Sequence, residues 1–457
     1  MRRTELLEKP AVIEPAPTSP RLAAAALRVA TLLRTPLYAN TLYLWAGAGL
    51  AAATGLAFWA LVARLYSADD VGLGSAALSA LTLLAMFSHL GLGLGLVRFL
   101  PESGTHGPRL ANAVFTASAA AAVVLAAVFL LGLPLWASSL GFLREPLYSV
   151  AFVAFVVAAT LTAVQTYAFV ATRKAKYIFV QVVLVQMGRL ALPAFMAAFF
   201  GAFGIVASGG IAGALGAVVG FALLARALPG YRPAGIIDPA AVLRLMPFST
   251  ANYLADVLLM LPGLVLPIVV VAMLGSEEGA FFYMAWFLGY LLTSASAYLA
   301  LSLFAEGSHD PGALAVLSRN AVAGGLAAAA VGALFLLVLG DKLLLAFGRD
   351  YATEGATLLR IVALAALPAA VVNVYLGALR VAKRVGELVI VASVVAATTL
   401  VLSSALLPVM GLAGAGVGHG LGQGLGLAIV LGRLLMTVEG TVPQRMRLLL
   451  VTLGGRS

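Results

Sequence analysis

Two arginines, Arg189 and Arg360, and one aspartate, Asp256, lie inside long apolar segments of a 457-residue chain. A charge in such a place is costly unless it meets a partner, an ion or water. Asn252 stands one helical turn before Asp256 and on the same face, an arrangement suited to holding a cation or a proton. A structural salt bridge, with Arg360 as the candidate partner, is the competing explanation. Arginine's planar fork pairs bidentately with phosphate oxygens. Arg189 (with Gln186 one turn before it), Arg360, and Arg98 and Arg64 at the ends of apolar segments are therefore candidates for holding an anionic group. Arg98 alternatively anchors a segment end, and Asp69 and Asp70 alternatively neutralise Arg64. A third set is aromatic and hydroxylic: Tyr283, Trp286, Phe287, Tyr290 and Ser294 share a sector of about 100° at helical spacing. Such a stripe stacks on sugar rings and bonds their edges. The rival explanation is an interfacial aromatic belt; it suits Tyr283, whereas Tyr290 and Ser294 lie too deep for it. Ser75, Ser79, Thr82, His89 and Gly93 form a second stripe, of a kind that also serves close helix packing. His89 shows no partner for proton transfer.

Other chemistries are excluded. The run GLGLGLV (91–97) has neither the strand nor the lysine of a nucleotide loop, and no Walker motif occurs. There is no nucleophilic triad, metal cluster or paired carboxylate in a soluble loop, so the chain reads as a non-enzyme. The sequence contains no cysteine, which rules out disulfides and thiolate metal sites. No cofactor is expected beyond a coupling Na+ or H+.

The elements that must carry these residues are membrane spans. Hydrophobic residues make up 62% of the chain and charged residues 10%, which makes lipid the solvent. Twelve apolar stretches are long enough to cross a bilayer: 41–65, 72–97, 110–134, 147–171, 177–200, 204–228, 249–274, 279–304, 316–340, 357–379, 387–408 and 411–436. With a cytoplasmic N-terminus, twenty-two basic residues fall on the inner side and only Arg64, Arg144, Lys342 and Arg349 on the outer. That asymmetry orients the chain with both termini inside, in the plasma membrane. The net charge of +10 then reflects topology and anionic lipid, and no loop is long enough for a nucleic-acid-binding domain. Residues 1–38 read as a proline-rich tail followed by an interfacial helix. The first 40 residues lack a cleavable signal pattern, so the first span is expected to stay. Residues 229–248 read as a linker, in which Asp238 and Pro239 make a helix start, and 437–457 as a second cytoplasmic tail.

The chain also resembles itself at a spacing of 207 residues. Arg173 falls on Arg380, Lys176 on Lys383, Gly204 on Gly411, Gly213 on Gly420, Arg226 on Arg433 and Gly72 on Gly279. Six spans per half is even, so the halves are parallel repeats, 39–228 and 249–436. A membrane protein of two like halves holds its substrate where they meet. Asp256 breaks the symmetry, since Gly49 stands opposite it in the repeat. Glycines at every fourth position in spans six and twelve (Gly209, Gly213, Gly216, Gly220; Gly414, Gly418, Gly422, Gly426) suit close packing.

The first hairpin, ARLYSADDVGLGSAALSALTLLAMFSHLGLGLGLVRFLPES (63–103), resembles the opening repeat of bacterial polysaccharide and oligosaccharide flippases. That group shares a superfamily with multidrug/toxin extruders and peptidoglycan lipid flippases. The acidic-Gly turn, the Gly-rich second span and the VRFLPE ending carry the resemblance; LGSEEGAFFY (274–283) and FAEGS (304–308) open the second half alike. The resemblance implies an all-α polytopic protein with two six-helix lobes around a central cavity lined by spans one, two, seven and eight, opening alternately to either side. It implies an isoprenoid pyrophosphate carrying sugars as substrate, partners among membrane lipid and glycan polymerase or glycosyltransferase machinery, and a monomeric transporter. Peptidoglycan lipid flippases tend to carry more arginines in the first two spans than Arg64 and Arg98, a departure from that branch. A cation-coupled multidrug antiporter of the same fold is the alternative.

Overall fold

A computed structural model describes residues 36–309 and 311–438. The proposed tails, except for residues 36–38 and 437–438, which belong to α1 and α12, and the interfacial helix of residues 21–35 lie outside the described residues. The described chain is helical, with no strand. In hydrocarbon no water satisfies a free peptide group, and a helix satisfies its own. The helices are α1 (Pro36–Leu65), α2 (Ala68–Ser88), α3 (Leu92–Phe99), α4 (Gly107–Trp136), α5 (Pro146–Ala171), α6 (Ala175–Ala227), α7 (Pro239–Leu274), α8 (Ser276–His309), α9 (Leu314–Leu344), α10 (Arg349–Val381), α11 (Val385–Met410) and α12 (Leu412–Val438).

Eleven helical segments are long and apolar enough to cross a membrane. One of them, α6, runs for 53 residues but breaks at Gly201, where φ is 46° and ψ −136°. At 1.5 Å per residue it would span about 80 Å, against a hydrocarbon core of about 30 Å. It is therefore two crossings, and the described residues make twelve. The predicted second span is α2 followed by α3, interrupted at His89–Gly91. There Leu90 has φ 52° and Gly91 has φ 71°.

Local chemistry sets the ends. Ser67 caps α2: its hydroxyl accepts from the Asp70 amide at 3.1 Å and donates to the Asp70 carboxylate at 2.8 Å. Asp238 caps α7, accepting from the Ala241 amide at 3.0 Å with Pro239 following, as expected. The non-helical connection before it lies along α4. Asn112 donates to the Arg232 carbonyl at 2.8 Å, and the Ile236 amide donates to Thr116 at 3.0 Å.

The two lobes repeat, but not in one register. Gly72 and Gly279, 207 apart, do meet where α2 and α8 cross: a methyl on Gly279 would lie 3.7 Å from the Gly72 Cα. Further along, the matching landmarks are 210 apart. Arg173 and Lys383 share φ 56° at their turns, and the Gly201 break (φ 46°) matches Gly411 (φ 57°). The pairings Arg173/Arg380, Lys176/Lys383 and Gly204/Gly411 are thus three residues out. The cause is unequal element lengths: α10 is seven residues longer than its counterpart α5 and α9 one longer than α4, while the connection between α9 and α10 is five shorter than that between α4 and α5, a net three.

Two seams join the lobes. In the first, α1 faces α8; in the second, α2 and α3 face α7. Since α1 corresponds to α7 and α2 to α8, the repeat relates one seam to the other. A continuous apolar core crosses the first seam near the predicted outer end, with Phe58, Trp59 and Val62 of α1 packed with Phe281, Phe282 and Ala285 of α8. The glycine ladders are packing surfaces. Gly418 lies on Ser403 and Gly422 on Thr399 of α11, while in α6 Gly216 lies on Val185 and Gly220 on Gln165 and Gln181; Gly213 alone of that ladder has nothing within 4 Å.

Candidate functional site

Arg189 is the residue around which a site forms. Its guanidinium carbon lies 4.1 Å from the centroid of the Phe58 ring of α1, a cation–π contact. Its Nε is buried without a hydrogen-bond partner, and no carboxylate pairs with it among the described residues. One turn earlier Gln186 ties α6 to α1, donating to the Thr54 hydroxyl at 2.6 Å and the Ala51 carbonyl at 3.2 Å. Across the seam Tyr283 of α8 is close enough to interact electrostatically with Arg189. Its ring stands 4.5 Å from that of Trp59. Gly55 and Phe287 close the seam beside them, a methyl on Gly55 falling 3.5 Å from the Phe287 ring. One cation from the first lobe and one phenol from the second thus face the joint between lobes, on an aromatic floor.

The remaining predicted residues are distributed elsewhere. Arg64 donates from Nε to the Ala346 carbonyl at 3.0 Å, across the lobes at the predicted outer end. Arg98 is exposed at the end of α3, with its guanidinium 5.5 Å from the Phe99 ring centroid. Arg360 pairs with Asp341 of α9 at 2.6 Å. Trp286 turns into the second lobe, edge-on to His419 of α12 at 4.9 Å and stacked on Phe282 at 5.3 Å. At 100° per residue it stands about 60° around the helix from Tyr283, enough to leave the seam. Tyr290 is 48% exposed, and the Ser294 hydroxyl donates to its own helix at Leu291, 2.7 Å away. The stripe on α8 is therefore divided: Tyr283 and Phe287 on the seam, Trp286 in the lobe, Tyr290 beyond the contact.

Asp256 forms an ion pair with Arg380 of α10. The partner suggested by sequence was Arg360; the structure places Arg360 on Asp341 instead. The Asn252 side chain lies outside the described residues. In the α2 stripe Ser75, Ser79 and Thr82 donate to carbonyls of their own helix at 2.8 to 2.9 Å, which satisfies them without a ligand. Two features escaped the sequence. Phe58 and Trp59 carry no polar signal within an apolar span, and Arg380 reads as an ordinary segment end.

At the predicted outer end the lobes are sewn together. The Ser276 hydroxyl donates to Asp69 at 2.5 Å, and Gly72 packs against the Ser276 carbonyl so closely that no side chain would fit. Beside it the Tyr66 hydroxyl donates to the Pro193 carbonyl at 2.9 Å. Burial and the Asp70 carboxylate push this phenol up to about 12, so it remains a donor at physiological pH.

Residues 37–304 match the model of a family described as polysaccharide biosynthesis proteins. The chain belongs to that family. No curated protein matches the sequence. Among solved structures, the chain is similar to the lipid II flippase MurJ in an inward closed conformation, with TM-score 0.70 and 12% identity, covering 91% of this chain and 90% of that one. It is similar to an inward-facing multidrug resistance MATE transporter of the MOP superfamily, with TM-score 0.65 and 14% identity, covering 86% and 96%. It is also similar to a MOP superfamily transporter from Pyrococcus furiosus, noted for the reverse polarity of its binding pocket, with TM-score 0.55 and 13% identity, covering 90% and 98%. At these identities the likeness is one of fold. This polysaccharide biosynthesis protein is accordingly a multi-pass membrane protein with the fold of the MOP superfamily transporters.

Proposed function

We propose that the protein is a flippase that moves isoprenoid-pyrophosphate-linked oligosaccharide across the plasma membrane for surface polysaccharide biosynthesis. It works by alternating access of the two lobes, without ATP. A glycan and a pyrophosphate cannot cross hydrocarbon unaided, and a cation at the joint between lobes answers that problem. The observation that carries this reading is Arg189, a membrane-embedded guanidinium with no carboxylate partner among the described residues and an aromatic seat beneath it. The ion pair of Asp256 with Arg380 adds to it, because it neutralises the acidic group that a cationic drug would need. Coupling to H+ or Na+ at Asp256 would require that pair to open first. The protein acts as a monomer beside the glycosyltransferase or polymerase machinery that makes and consumes its substrate.

The test is reconstitution with a labelled isoprenoid-pyrophosphate oligosaccharide, scoring its accessibility from each leaflet. Arg189→Ala should slow translocation about 10- to 100-fold, the value of charge-assisted hydrogen bonds, at unchanged abundance. Arg98→Ala should also slow it. Normal translocation by both variants would refute the pyrophosphate assignment, and energised efflux of a cationic dye would favour the multidrug antiporter.

A further inference from the structure

The two seams between lobes are related by the repeat, yet they are closed to different extents. In the α1/α8 seam the contacts lie toward the predicted outer end, at Gly55 with Phe287 and Trp59 with Tyr283. Toward the predicted inner end the same seam is open. Tyr290 and Tyr298, which stand within about 20° of Tyr283 and Phe287 respectively around α8, are 48% and 57% exposed. The other seam is shut along its length. Val271 and Ile268 of α7 pack with α2 near the predicted outer end, and α3 covers α7 toward the inner end, where a methyl on Gly95 would stand 2.7 Å from Leu245.

The difference traces to one feature. The second span is broken at His89–Gly91, with Leu90 and Gly91 both at positive φ, whereas α8, its repeat counterpart, runs unbroken from Ser276 to His309. Positive φ at a leucine is a strained conformation that the surroundings must hold. Tyr253 of α7 is placed to hold it. Its hydroxyl donates to the Met86 carbonyl, and its ring fills the space over Gly91, where an added methyl would come within 2.9 Å of it. The His89 ring lies 4.9 Å from the Tyr253 ring and 6.0 Å from that of Tyr167 on α5, and Tyr167 fills the space over Gly93. The break therefore presents a glycine seat and a backbone acceptor to the opposite lobe.

We infer that the broken second span is a lock on the α2–α3/α7 seam, with Tyr253 as its bolt, so that the lobes part on the α1/α8 side and stay joined on this one. Tyr253 is a positioning residue here: it acts on the path of α3, not on a substrate. The lock is a property of the seams alone, whatever the protein carries.

Because the chain contains no cysteine, single cysteines report local opening directly. In the full chain in lipid vesicles, Leu245→Cys should react with N-ethylmaleimide at least about tenfold more slowly than Tyr298→Cys. Adding Tyr253→Phe should raise the Leu245→Cys rate toward that of Tyr298→Cys and leave the Tyr298→Cys rate unchanged. Should Tyr253→Phe fail to fold, the pair Gly95→Cys with Leu245→Cys supplies a second measurement. It should oxidise to a disulfide rapidly and completely, since the two positions already sit within bonding reach after a small relaxation. Equal reactivity at positions 245 and 298 in the otherwise unaltered chain, no response to Tyr253→Phe, or failure of the cysteine pair to oxidise would each overturn the lock.

Discussion

At the scale of single residues, Asp256, Arg360 and Arg380 each have an opposite charge beside them, and Arg189 has none among the described residues. Asp256 and Arg380 neutralise each other across α7 and α10, and Arg360 and Asp341 do so across α9 and α10. The Arg380 side chain is 22% exposed and that of Asp256 44%, so the pair is partly shielded from solvent. Removing one member strands a charge; removing both does not. Asp256→Ala and Arg380→Ala should each cost about 1–2 kcal/mol of stability, and the double variant should recover most of it, as a thermal-unfolding cycle would show. If the single losses simply add, the pair contributes nothing. That Asp256 needs a partner is legible in sequence, because an unpaired carboxylate in a span is so costly. Which arginine answers it is not, since spacing along a chain does not say which helices become neighbours. Arg189 was legible for the same reason, but its aromatic seat was not, because Phe58 looks like any apolar residue of a span.

At the scale of elements, the lengths of the helices follow from composition and their breaks do not. Gly201 ends one crossing where sequence placed a boundary between 200 and 204, since a bilayer's thickness limits any helix that spans it. The interruption at His89–Gly91 lies inside a segment that reads as one span. Helix continuity there is decided by what packs against it, namely Tyr253 and Tyr167. The crossing of α2 and α8 makes a sharper demand. A methyl at Gly72 meets the Ser276 carbonyl, so Gly72→Ala must push the helices apart and should cost about 1–3 kcal/mol, as overpacking does. Gly49→Ala, with open space around it, should be nearly silent. Thermal unfolding of the two variants in one detergent compares them, and equal midpoints would mean that the α2/α8 crossing is not held as described.

At the scale of the whole molecule, the orientation rests on charge asymmetry and is directly testable in a cysteine-free chain. Ser139 and Lys174 are exposed at opposite ends of α5. Ser139→Cys should react with an impermeant thiol reagent on intact cells, and Lys174→Cys only after the membrane is opened; the reverse pattern would invert the topology. Composition by itself determined that the chain lives in lipid, since that much apolar surface has no soluble solution. Span counting determined twelve crossings, and the repeat determined two like lobes. Those properties are sums or periodicities along the chain, so they survive ignorance of the fold. The tertiary structure decided the rest: that the repeat slips from 207 to 210, that Asp256 pairs with Arg380, that the α8 stripe splits, and that the two seams are packed to different extents. Each of these depends on the lateral placement of helices, which packing between distant segments sets and which no spacing within a segment encodes.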